Sequence, residues 1–416
     1  MNVEKMAREA REASRFLAKS PTSLKNRALL QMAKALRRRA EKILSANERE
    51  LAAARKTARS AAFVERMTLN GKRIENIARA LESVAKLPDP VGRITDFARR
   101  PNGLNIKRMR VPLGVVAIIY ESRPGVTADA AGLCIKSGNA AILRGGKETV
   151  RTNAVIADAL REGLKKAGLP PGSVGFVNDP DRKALRELLQ LDTLIDLVIP
   201  RGGPELTTAV RHESLIPVLA HDKGLCHTYI DDKADLRMAL DVAFNAKAER
   251  PGVCNAMETL LVHEKIARSF LPNMAARYAA AGVELRGCLK TRRILPGIKA
   301  ATAKDWDTEY LALILSVKIV KNMDEALAHI ARHGSGLAEA IVTSDKSRAA
   351  RFLKEADAGA VYHNASTRFT DGGEFGLGAE MGISTQKLHA RGPVALEGLT
   401  CEKFVVSGRG QTRCST

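Results

Sequence analysis

Cys254 is the residue in this sequence whose setting best suits a nucleophile. It follows a Pro-Gly pair at 251–252 and precedes the apolar run METLLVH at 257–263, so it lies in a turn between a helical stretch and a strand. A thiol in such a turn can be exposed, and backbone N–H groups with the side chain of Asn255 could stabilise an oxyanion there. A buried, inert side chain is the commoner fate of a single cysteine, and this segment alone leaves both interpretations open.

The other cysteines are weaker candidates. Cys134 belongs to the apolar helical segment AAGLCIKSG and is expected in the core. Cys226 and His227 look like a catalytic pair, but neighbours in a strand point to opposite faces, so their side chains would not meet. The six cysteines are widely spaced and include no C-x-x-C pair, which argues against a metal site and a disulfide framework. This usage predicts a reducing compartment, the cytoplasm.

Two glycine turns follow apolar runs and carry cations that could bind phosphate. They consist of Arg144, Gly145, Gly146 and Lys147 after AAIL, and of Arg201, Gly202 and Gly203 after DLVIP. Backbone N–H groups at the start of a helix, together with such cations, form a phosphate cradle, and two cradles favour a dinucleotide. Strand-to-helix turns need glycine in any case, and the G-x-G-x-x-G fingerprint of a standard Rossmann fold is absent.

The segment 362–382 is rich in glycine and contains polar residues in an irregular pattern, among them Ser366, Arg368 and Asp371. Long glycine-rich loops inside a compact chain are more often binding loops than linkers. Arg368 could hold a carboxylate or a phosphate through two hydrogen bonds.

The hydrophobic pattern indicates the elements that position these groups. Residues 3–88 show the three-to-four spacing of helices. Beyond them, short Val-, Ile- and Leu-rich runs alternate with helical stretches, which is typical of a parallel sheet covered on both faces. The predicted strands are 114–120, 140–144, 173–177, 196–200, 257–263, 310–320, 338–343 and 359–363. Two such series predict an α/β chain with two lobes, and ligands favour the cleft between lobes.

Two further segments, 104–112 and 400–410, alternate apolar and basic residues like exposed or edge strands. An exposed edge strand with this many apolar residues favours pairing with another strand. We therefore expect these two segments to pair with each other or with another subunit. Complementary exposed strands favour a homodimer or a homotetramer.

Composition restricts the class of protein. The chain has 416 residues, of which 45% are hydrophobic and 27% charged, so it can bury a core and is neither disordered nor fibrous. No run approaches the roughly 18 apolar residues of a membrane-spanning helix. Acidic residues among the first twenty positions argue against an export or transit peptide.

Positive charge is concentrated in residues 1–110, which contain 27 Lys and Arg against 11 Asp and Glu in a chain of net charge +21. Such an asymmetry can indicate an anionic partner such as nucleic acid. Because aromatic residues are few there and no nucleic-acid-binding motif is present, a solvated helical face is the preferred interpretation.

Four longer segments resemble the gamma-glutamyl phosphate reductases, a branch of the aldehyde dehydrogenase superfamily. They are 111–148, 198–203, 250–263 and 364–393. The resemblance implies an aldehyde-dehydrogenase-like α/β fold of two lobes with Rossmann-like parallel sheets and a small β oligomerisation arm. It also implies NADPH-dependent reduction of L-glutamyl 5-phosphate to L-glutamate 5-semialdehyde with release of phosphate, the second step of proline biosynthesis from glutamate.

The resemblance assigns Cys254 as the nucleophile. Its thiolate would attack the acyl phosphate, expel phosphate and leave a thioester that hydride reduces to the aldehyde. Hydrolytic members of the superfamily have a glutamate upstream of the cysteine that activates water. Residues 214–248 of this chain contain no glutamate, and His221 lies about where that base would be. The absence of this glutamate is expected to protect the thioester from attack by water.

The resemblance also implies cofactor and substrate contacts. Arg144 and Lys147 would bind the adenosine ribose and 2′-phosphate of NADPH, and Glu309 the nicotinamide ribose. Ser122 lies where the superfamily has an oxyanion contact. The substrate-binding candidates are Glu121, Arg123, Ser366, Arg368 and Asp371, with the arginines for its phosphate or α-carboxylate and an acid, Glu121 or Asp371, for its α-amino group.

These assignments predict an NADP(H)-binding lobe at 1–225, a catalytic lobe at 226–360, an active-site loop at 361–386 and an oligomerisation arm at 104–112 with 387–416. A transient contact with the upstream glutamate kinase is a further expectation, and a membrane partner is not expected. The chain departs from the family at Leu337-Ala338, where a polar pair is common, and at Cys401-Glu402.

Two alternatives stay open at this point. An oxidative NAD-dependent aldehyde dehydrogenase would turn over without phosphate. A nucleic-acid-binding protein on an inactive reductase scaffold would bind polyanions and lack reductase activity, although the intact Cys254 argues against it.

Overall fold

The computed structural model describes residues 2–57, 60–220 and 223–413. The chain forms two compact units. The first unit comprises Met1–Ala220, Leu377–Gly382 and Val394–Thr416, and the second comprises His221–Gly376 and Ile383–Pro393. Among the described residues, no helix combines the length and the apolar character that crossing a bilayer requires.

The regular elements alternate along most of the chain. The α-helices are α1 Val3–Leu17, α2 Thr22–Arg38, α3 Ala40–Lys56, α4 Ala61–Met67, α5 Gly71–Lys86, α6 Gly125–Lys136, α7 Val150–Ala167, α8 Arg182–Leu189, α9 Pro204–Glu213, α10 Leu236–Ala248, α11 Glu264–Ala280, α12 Leu289–Ile294, α13 Met323–His333 and α14 Lys346–Glu355. The strands are β1 Ile94–Arg99, β2 Asn105–Pro112, β3 Val115–Tyr120, β4 Ala140–Arg144, β5 Val174–Phe176, β6 Leu197–Arg201, β7 Cys226–Ile230, β8 Met257–His263, β9 Glu284–Gly287, β10 Lys299–Ala300, β11 Ile314–Val320, β12 Ala338–Val342, β13 Ala360–His363, β14 Gly382–Ser384, β15 Gly392–Val394 and β16 Thr400–Ser407. Single 3₁₀ turns occur at Lys147–Thr149, Pro171–Ser173, Ala303–Asp307, Thr367–Phe369 and Glu397–Leu399.

The first unit is built on a four-stranded parallel sheet in the order β5-β4-β3-β6. All six residues of β3 are buried, as its continuous apolar sequence predicts for a sheet covered on both faces. Helices α1, α6 and α7 pack against these strands. Because the strands are parallel, their carboxyl ends lie at one edge, and both predicted glycine turns begin there.

The helical pattern predicted for residues 3–88 is confirmed as α1 to α5. The apolar face of α2, with Leu29, Met32 and Leu36, is fully buried. Lys25, also on α2, forms an ion pair of 2.6 Å with Asp89, and both side chains are almost inaccessible. This basic segment therefore belongs to the core of the first unit rather than forming a separate tail.

A three-stranded antiparallel sheet in the order β1-β2-β16 also belongs to the first unit. The predicted pairing of segment 104–112 with the C-terminal strand is confirmed, with Pro112 opposite Thr400 and Asn105 opposite Ser407. The guanidinium of Arg108 lies 4.6 Å from the ring centre of Phe97 and 5.4 Å from that of Phe404. Both rings remain about half exposed, so this sheet presents an apolar surface.

The second unit is built on a seven-stranded parallel sheet in the order β10-β9-β11-β8-β7-β12-β13. Its strand β8 is buried throughout. The prediction of one strand over 310–320 was wrong in its first four residues, since β11 begins only at Ile314. Leu311 has a left-handed φ of 52°, which interrupts an extended strand, and residues 310–313 form a loop.

A cluster of three histidines, of which His227 and His329 are buried, lies in the second unit. The ring of His329 contacts the rings of His227 and His333, with centroids 5.5 and 4.5 Å away, and its Nδ1 is 3.1 Å from Nζ of Lys318. Burial, aided by the neighbouring His227 and Lys318, lowers the pKa of His329 to about 2. The folded protein therefore keeps His329 neutral at pH values where the unfolded chain protonates it.

This depressed pKa predicts a loss of stability in acid. The contribution of His329 is fully present above its unfolded pKa of about 6.5 and declines as pH falls, reaching about 2 kcal/mol of lost stability at about pH 5. We expect His329→Leu to remove that part of the decline between pH 7.5 and 5 in urea unfolding. The exposed His212 provides the control, because His212→Leu makes the same chemical change away from this buried cluster. Equal pH dependence in wild type and His329→Leu would contradict this prediction.

Candidate active site

Cys254 lies in a short turn between α10 and β8. The turn is closed by a hydrogen bond of 3.1 Å from the N–H of Ala256 to the carbonyl of Val253. Cys254 is partly buried and packs against the apolar cluster that contains Cys226, Leu337 and Ala338. Cys254 is therefore less buried than Cys134 and Cys226, which are inaccessible to solvent.

Gly224 fixes the backbone of Cys254 by close approach. A Cβ atom at Gly224 would overlap the carbonyl oxygen of Cys254 and lie only 2.5 Å from its Cα. The thiol of Cys226 donates a hydrogen bond of 3.4 Å to the same carbonyl. The segment leading into β7 therefore determines where the nucleophile lies, a role that sequence reasoning missed although an isolated glycine before a strand is a known sign of close backbone approach.

Asn255 joins the nucleophile turn, residues 253–256, to the glycine-rich loop at 362–382. Its side-chain Nδ2 donates to the backbone carbonyls of Arg368 at 3.3 Å and Thr370 at 2.9 Å. Its backbone carbonyl accepts from Oγ1 of Thr367 at 2.8 Å. Because both Nδ2 protons are directed at loop carbonyls, an oxyanion contact from this side chain requires one of these bonds to break. The predicted oxyanion role of Asn255 stays a prediction, and the structure adds an anchoring role.

Arg368 lies beside this turn, and its predicted role in a binding loop stays a prediction. Its Nε donates to Oε2 of Glu249 at 2.6 Å, and its Nη1 donates to Oδ1 of Asn255. Ser366 is buried and its Oγ accepts from the N–H of Arg368, at 3.3 Å. Glu249 was not predicted, and it partly neutralises the guanidinium that was assigned to an anionic substrate group.

Asp371 organises the next turn of the same loop. Its Oδ1 accepts from the N–H groups of Gly373 at 2.8 Å and Glu374 at 3.4 Å. This is a turn-forming role, and the predicted contact of Asp371 with a substrate amino group stays a prediction.

Glu309 connects to the nucleophile turn through Gly224. Its Oε1 accepts from the N–H of Gly224 at 2.9 Å, the same glycine that packs on Cys254. Burial raises the pKa of Glu309 above its usual range, while the hydrogen bond from Gly224 acts in the opposite direction. The structure thus brings together Glu309, Cys254 and Asn255, which the sequence places up to 55 residues apart.

The other predicted residues lie together at the carboxyl edge of the four-stranded sheet in the first unit. Ser122 is buried, and its Oγ donates to Oε2 of Glu148 at 2.9 Å. A Cβ at Gly146 would lie 2.6 Å from that Oγ, so glycine is needed there for close packing against the segment after β3. Lys147 and Arg123 are exposed at this edge.

Two of the predicted phosphate-binding groups already have protein partners. Arg144 donates through Nη2 to the carbonyls of Pro180 at 3.1 Å and Asp181 at 3.3 Å. The N–H of Gly203, at the start of α9, donates to Oε1 of Glu121 at 2.8 Å. The turn Arg201–Gly203 is therefore capped by a carboxylate, and a phosphate could use it only if Glu121 moved.

Some sequence predictions concern residues or groups that the structure does not display. His221, expected at the position of a water-activating base, lies outside the described residues, as does Cys414. Within the described part of the chain, no three His, Cys, Asp or Glu side chains converge in a way that could hold a metal ion.

A family model, two relatives of similar sequence and one solved structure indicate the family of this chain. The sequence pattern of the aldehyde dehydrogenase family matches residues 1–292 and 293–387. A gamma-glutamyl phosphate reductase from Caldanaerobacter subterraneus subsp. tengcongensis is 53% identical over 99% of this chain and 100% of its own length. One from Carboxydothermus hydrogenoformans is 54% identical over 99% of each chain. The crystal structure of a gamma-glutamyl phosphate reductase from Thermotoga maritima is 48% identical, with a TM-score of 0.97 over 99% of this chain and 100% of that chain.

Proposed function

Because this chain belongs to the aldehyde dehydrogenase family and, within it, to the gamma-glutamyl phosphate reductases, we propose that it reduces L-glutamyl 5-phosphate to L-glutamate 5-semialdehyde with NADPH. Membership makes it an oxidoreductase of proline biosynthesis that uses a nicotinamide cofactor, and the predicted aldehyde-dehydrogenase-like α/β fold is confirmed. The observation that carries the proposal is the partly exposed Cys254, in a turn fixed by Gly224 and Asn255.

Cys254 performs the covalent chemistry in this proposal. Its thiolate attacks the acyl carbon, the C–O bond to phosphate breaks, and phosphate leaves with the bonding electron pair. The resulting thioester takes up one hydride, and the thiohemiacetal expels the thiolate as the aldehyde forms. NADPH, when bound, supplies that hydride.

Two observations support the proposal that the first unit binds a phosphorylated dinucleotide. Its predicted cofactor residues follow the carboxyl ends of parallel strands, where such ligands bind in open α/β sheets. Lys147 is an exposed cation beside Gly146, which suits the 2′-phosphate that distinguishes NADPH from NADH. In the second unit, Glu309 is the proposed contact of the nicotinamide ribose.

The surroundings of Cys254 support transfer to phosphate rather than to water. Leu337 and Ala338, the family departure noted in the sequence, are fully buried in the apolar cluster against which Cys254 packs. Apolar side chains cannot accept a proton from water, and residues 214–248 supply no glutamate that could. We therefore propose that the thioester reacts with hydride or with phosphate rather than with water.

An assay in the oxidative direction tests the function. With L-glutamate 5-semialdehyde and NADP, we expect reduction of NADP to require inorganic phosphate and to be faster than reduction of NAD. The phosphate requirement follows because the thioester needs phosphate as its acyl acceptor. Equal rates with and without phosphate would favour a hydrolytic aldehyde dehydrogenase instead.

Arg368 is proposed to bind the phosphate or the α-carboxylate of the substrate, with Ser366 beside it. We expect Arg368→Ala to lower kcat/KM for L-glutamate 5-semialdehyde at least about tenfold, the typical loss for a charge-assisted hydrogen bond. Glu249→Gln is the matched control, because it removes the negative charge beside Nε but keeps an acceptor for it and leaves the guanidinium in place. An unchanged kcat/KM in Arg368→Ala, with the fold intact by circular dichroism, would reject this role.

The exposed sheet β1-β2-β16 is the proposed subunit contact of a homodimer or homotetramer. Phe97 and Phe404 lie on its surface around Arg108 and are partly exposed in the single chain. We expect Phe404→Glu to shift the protein to monomers in sedimentation analysis, because burying an unpaired carboxylate at an interface is unfavourable. An unchanged sedimentation coefficient would place the contact elsewhere.

A transient contact with the upstream glutamate kinase remains a proposal that rests on the lability of the acyl phosphate.

A further inference from the structure

A buried ion pair flanks the nucleophile turn on both sides along the chain. Lys247 lies in the last turn of α10 and Glu258 is the second residue of β8, and their Nζ and Oε2 atoms are 2.6 Å apart. Both side chains are at most 1% exposed. Two apolar residues of similar volume would often be as stable here, because removing two charges from water is unfavourable. Stability alone therefore does not account for the pair.

The second oxygen of Glu258 holds a strained loop. Its Oε1 accepts from the N–H of Leu311 at 3.2 Å. Leu311 is one of the few non-glycine residues with a left-handed backbone, at φ 52°, a conformation that persists only where surrounding contacts enforce it. The ammonium group of Lys247 also lies over the ring of Tyr310, 5.8 Å from its centre. The ion pair thus contacts two consecutive residues of this loop.

The loop carries Glu309, which is fixed from the other side. Two residues before Leu311, Glu309 accepts the N–H of Gly224, and Gly224 packs directly on the backbone of Cys254. Glu258 and Gly224 therefore hold the segment 309–311 at its two ends. Both groups are also close to Cys254. Glu258 follows it by four residues along the chain, and Gly224 packs on its backbone.

We propose that Glu258, neutralised by Lys247, is a positioning residue that holds the loop 309–311 so that Glu309 keeps a fixed place relative to Cys254. The inference rests on the proposed function, in which Glu309 contacts the nicotinamide ribose. A carboxylate serves because it can accept from Leu311 and from Lys247 at the same time, one bond on each oxygen. Burial raises the pKa of Glu258 and lowers that of Lys247, so each needs the other to remain charged.

Two double variants test this role without leaving a buried charge unpaired. Lys247→Met with Glu258→Gln keeps an oxygen that can accept from Leu311, whereas Lys247→Met with Glu258→Leu removes it. Both replace the pair by uncharged side chains of similar size. They differ in the acceptor for Leu311 and in the amide NH2 group that glutamine buries, and the second difference would make the Gln double variant the less stable of the two. Melting temperatures of both are measured first, and their kinetics are compared with wild type in the phosphate-dependent reduction of NADP.

We expect the Leu double variant to show a KM for NADP at least tenfold above that of the Gln double variant. The KM for L-glutamate 5-semialdehyde should differ less than threefold, because the effect is transmitted through Glu309. Adding Leu311→Gly to the Leu double variant should recover part of the loss, since glycine adopts a positive φ without strain. If Glu258 had only a structural role, the Leu double variant would have an altered melting temperature and the two KM values would change by similar factors.

Equal KM values for NADP in the two double variants would overturn the proposal. Hydrogen exchange separates this failure from a failure of the proposed function. If the wild type does not reduce NADP with this substrate, the positioning role still predicts faster amide exchange over 305–313 in the Leu double variant than in the Gln double variant. Equal exchange in that segment would reject the positioning role whatever the reaction is.

Discussion

Cys254→Ser is expected to lower kcat for phosphate-dependent reduction of NADP by at least about 10³-fold. A serine hydroxyl has little of the anionic form that attacks a carbonyl carbon at neutral pH, and an oxygen ester accepts hydride less readily than a thioester. The KM values should change much less, because the backbone contacts that position residue 254 do not involve its side chain. Initial rates under saturating substrate measure the effect.

Cys401→Ser is the matched control for this prediction. It makes the same chemical change at an exposed thiol on β16, in the three-stranded sheet. We expect it to retain wild-type kcat. Mass spectrometry of acid-quenched turnover should find the acyl group on the peptide that contains Cys254. A serine variant at full rate, or an acyl group on another peptide, would refute the role of Cys254.

Gly224→Ala is expected to produce the next largest effect, a loss of kcat of about 10²-fold or more. The added methyl group would overlap the carbonyl oxygen of Cys254, and both are attached to backbone, so one segment must shift. A displacement of about 1 Å at the reacting group is enough for a loss of this size. The same shift would weaken the hydrogen bond from Gly224 to Glu309, so the KM for NADP should also rise.

Gly297→Ala serves as the comparison in the second unit. A Cβ there has no heavy atom within 4 Å, so the substitution should leave kcat unchanged. The rate of alkylation of Cys254 by iodoacetamide separates misplacement from unfolding, because an unfolded chain also exposes Cys134 and Cys226. Selective change at Cys254 supports the close-packing argument, whereas wild-type kcat in Gly224→Ala would contradict it.

Much of the architecture was readable from local sequence patterns. The buried strands β3, β4 and β8 coincide with predicted apolar runs within one residue at each end, because a strand covered on both faces needs an unbroken apolar sequence. The start of β11 was misplaced because residues 310–313 are as apolar as the strand that follows. Their backbone is turned by Leu311, whose partner Glu258 lies 53 residues earlier.

The candidate site divides in the same way. Cys254, Arg368 and the glycine turns could be selected because residue type and neighbouring pattern reveal a nucleophile, a cation and a strand-to-helix turn. The residues that form hydrogen bonds with them could not be predicted from the sequence. Glu249 beside Arg368 and Glu121 on the N–H of Gly203 are separated from them by 119 and 82 residues, and spacing of that length carries no information about distance.

The sequence by itself therefore determined the main apolar strands, the two α/β series and the turn that carries Cys254, since these depend on patterns among near neighbours. Only the tertiary structure decided that Gly224 packs on the nucleophile, that Asn255 anchors the glycine-rich loop and that Glu258 reaches Leu311. Each of these contacts joins segments that come together only when the second unit packs its sheet, so their geometry depends on packing rather than on local preference.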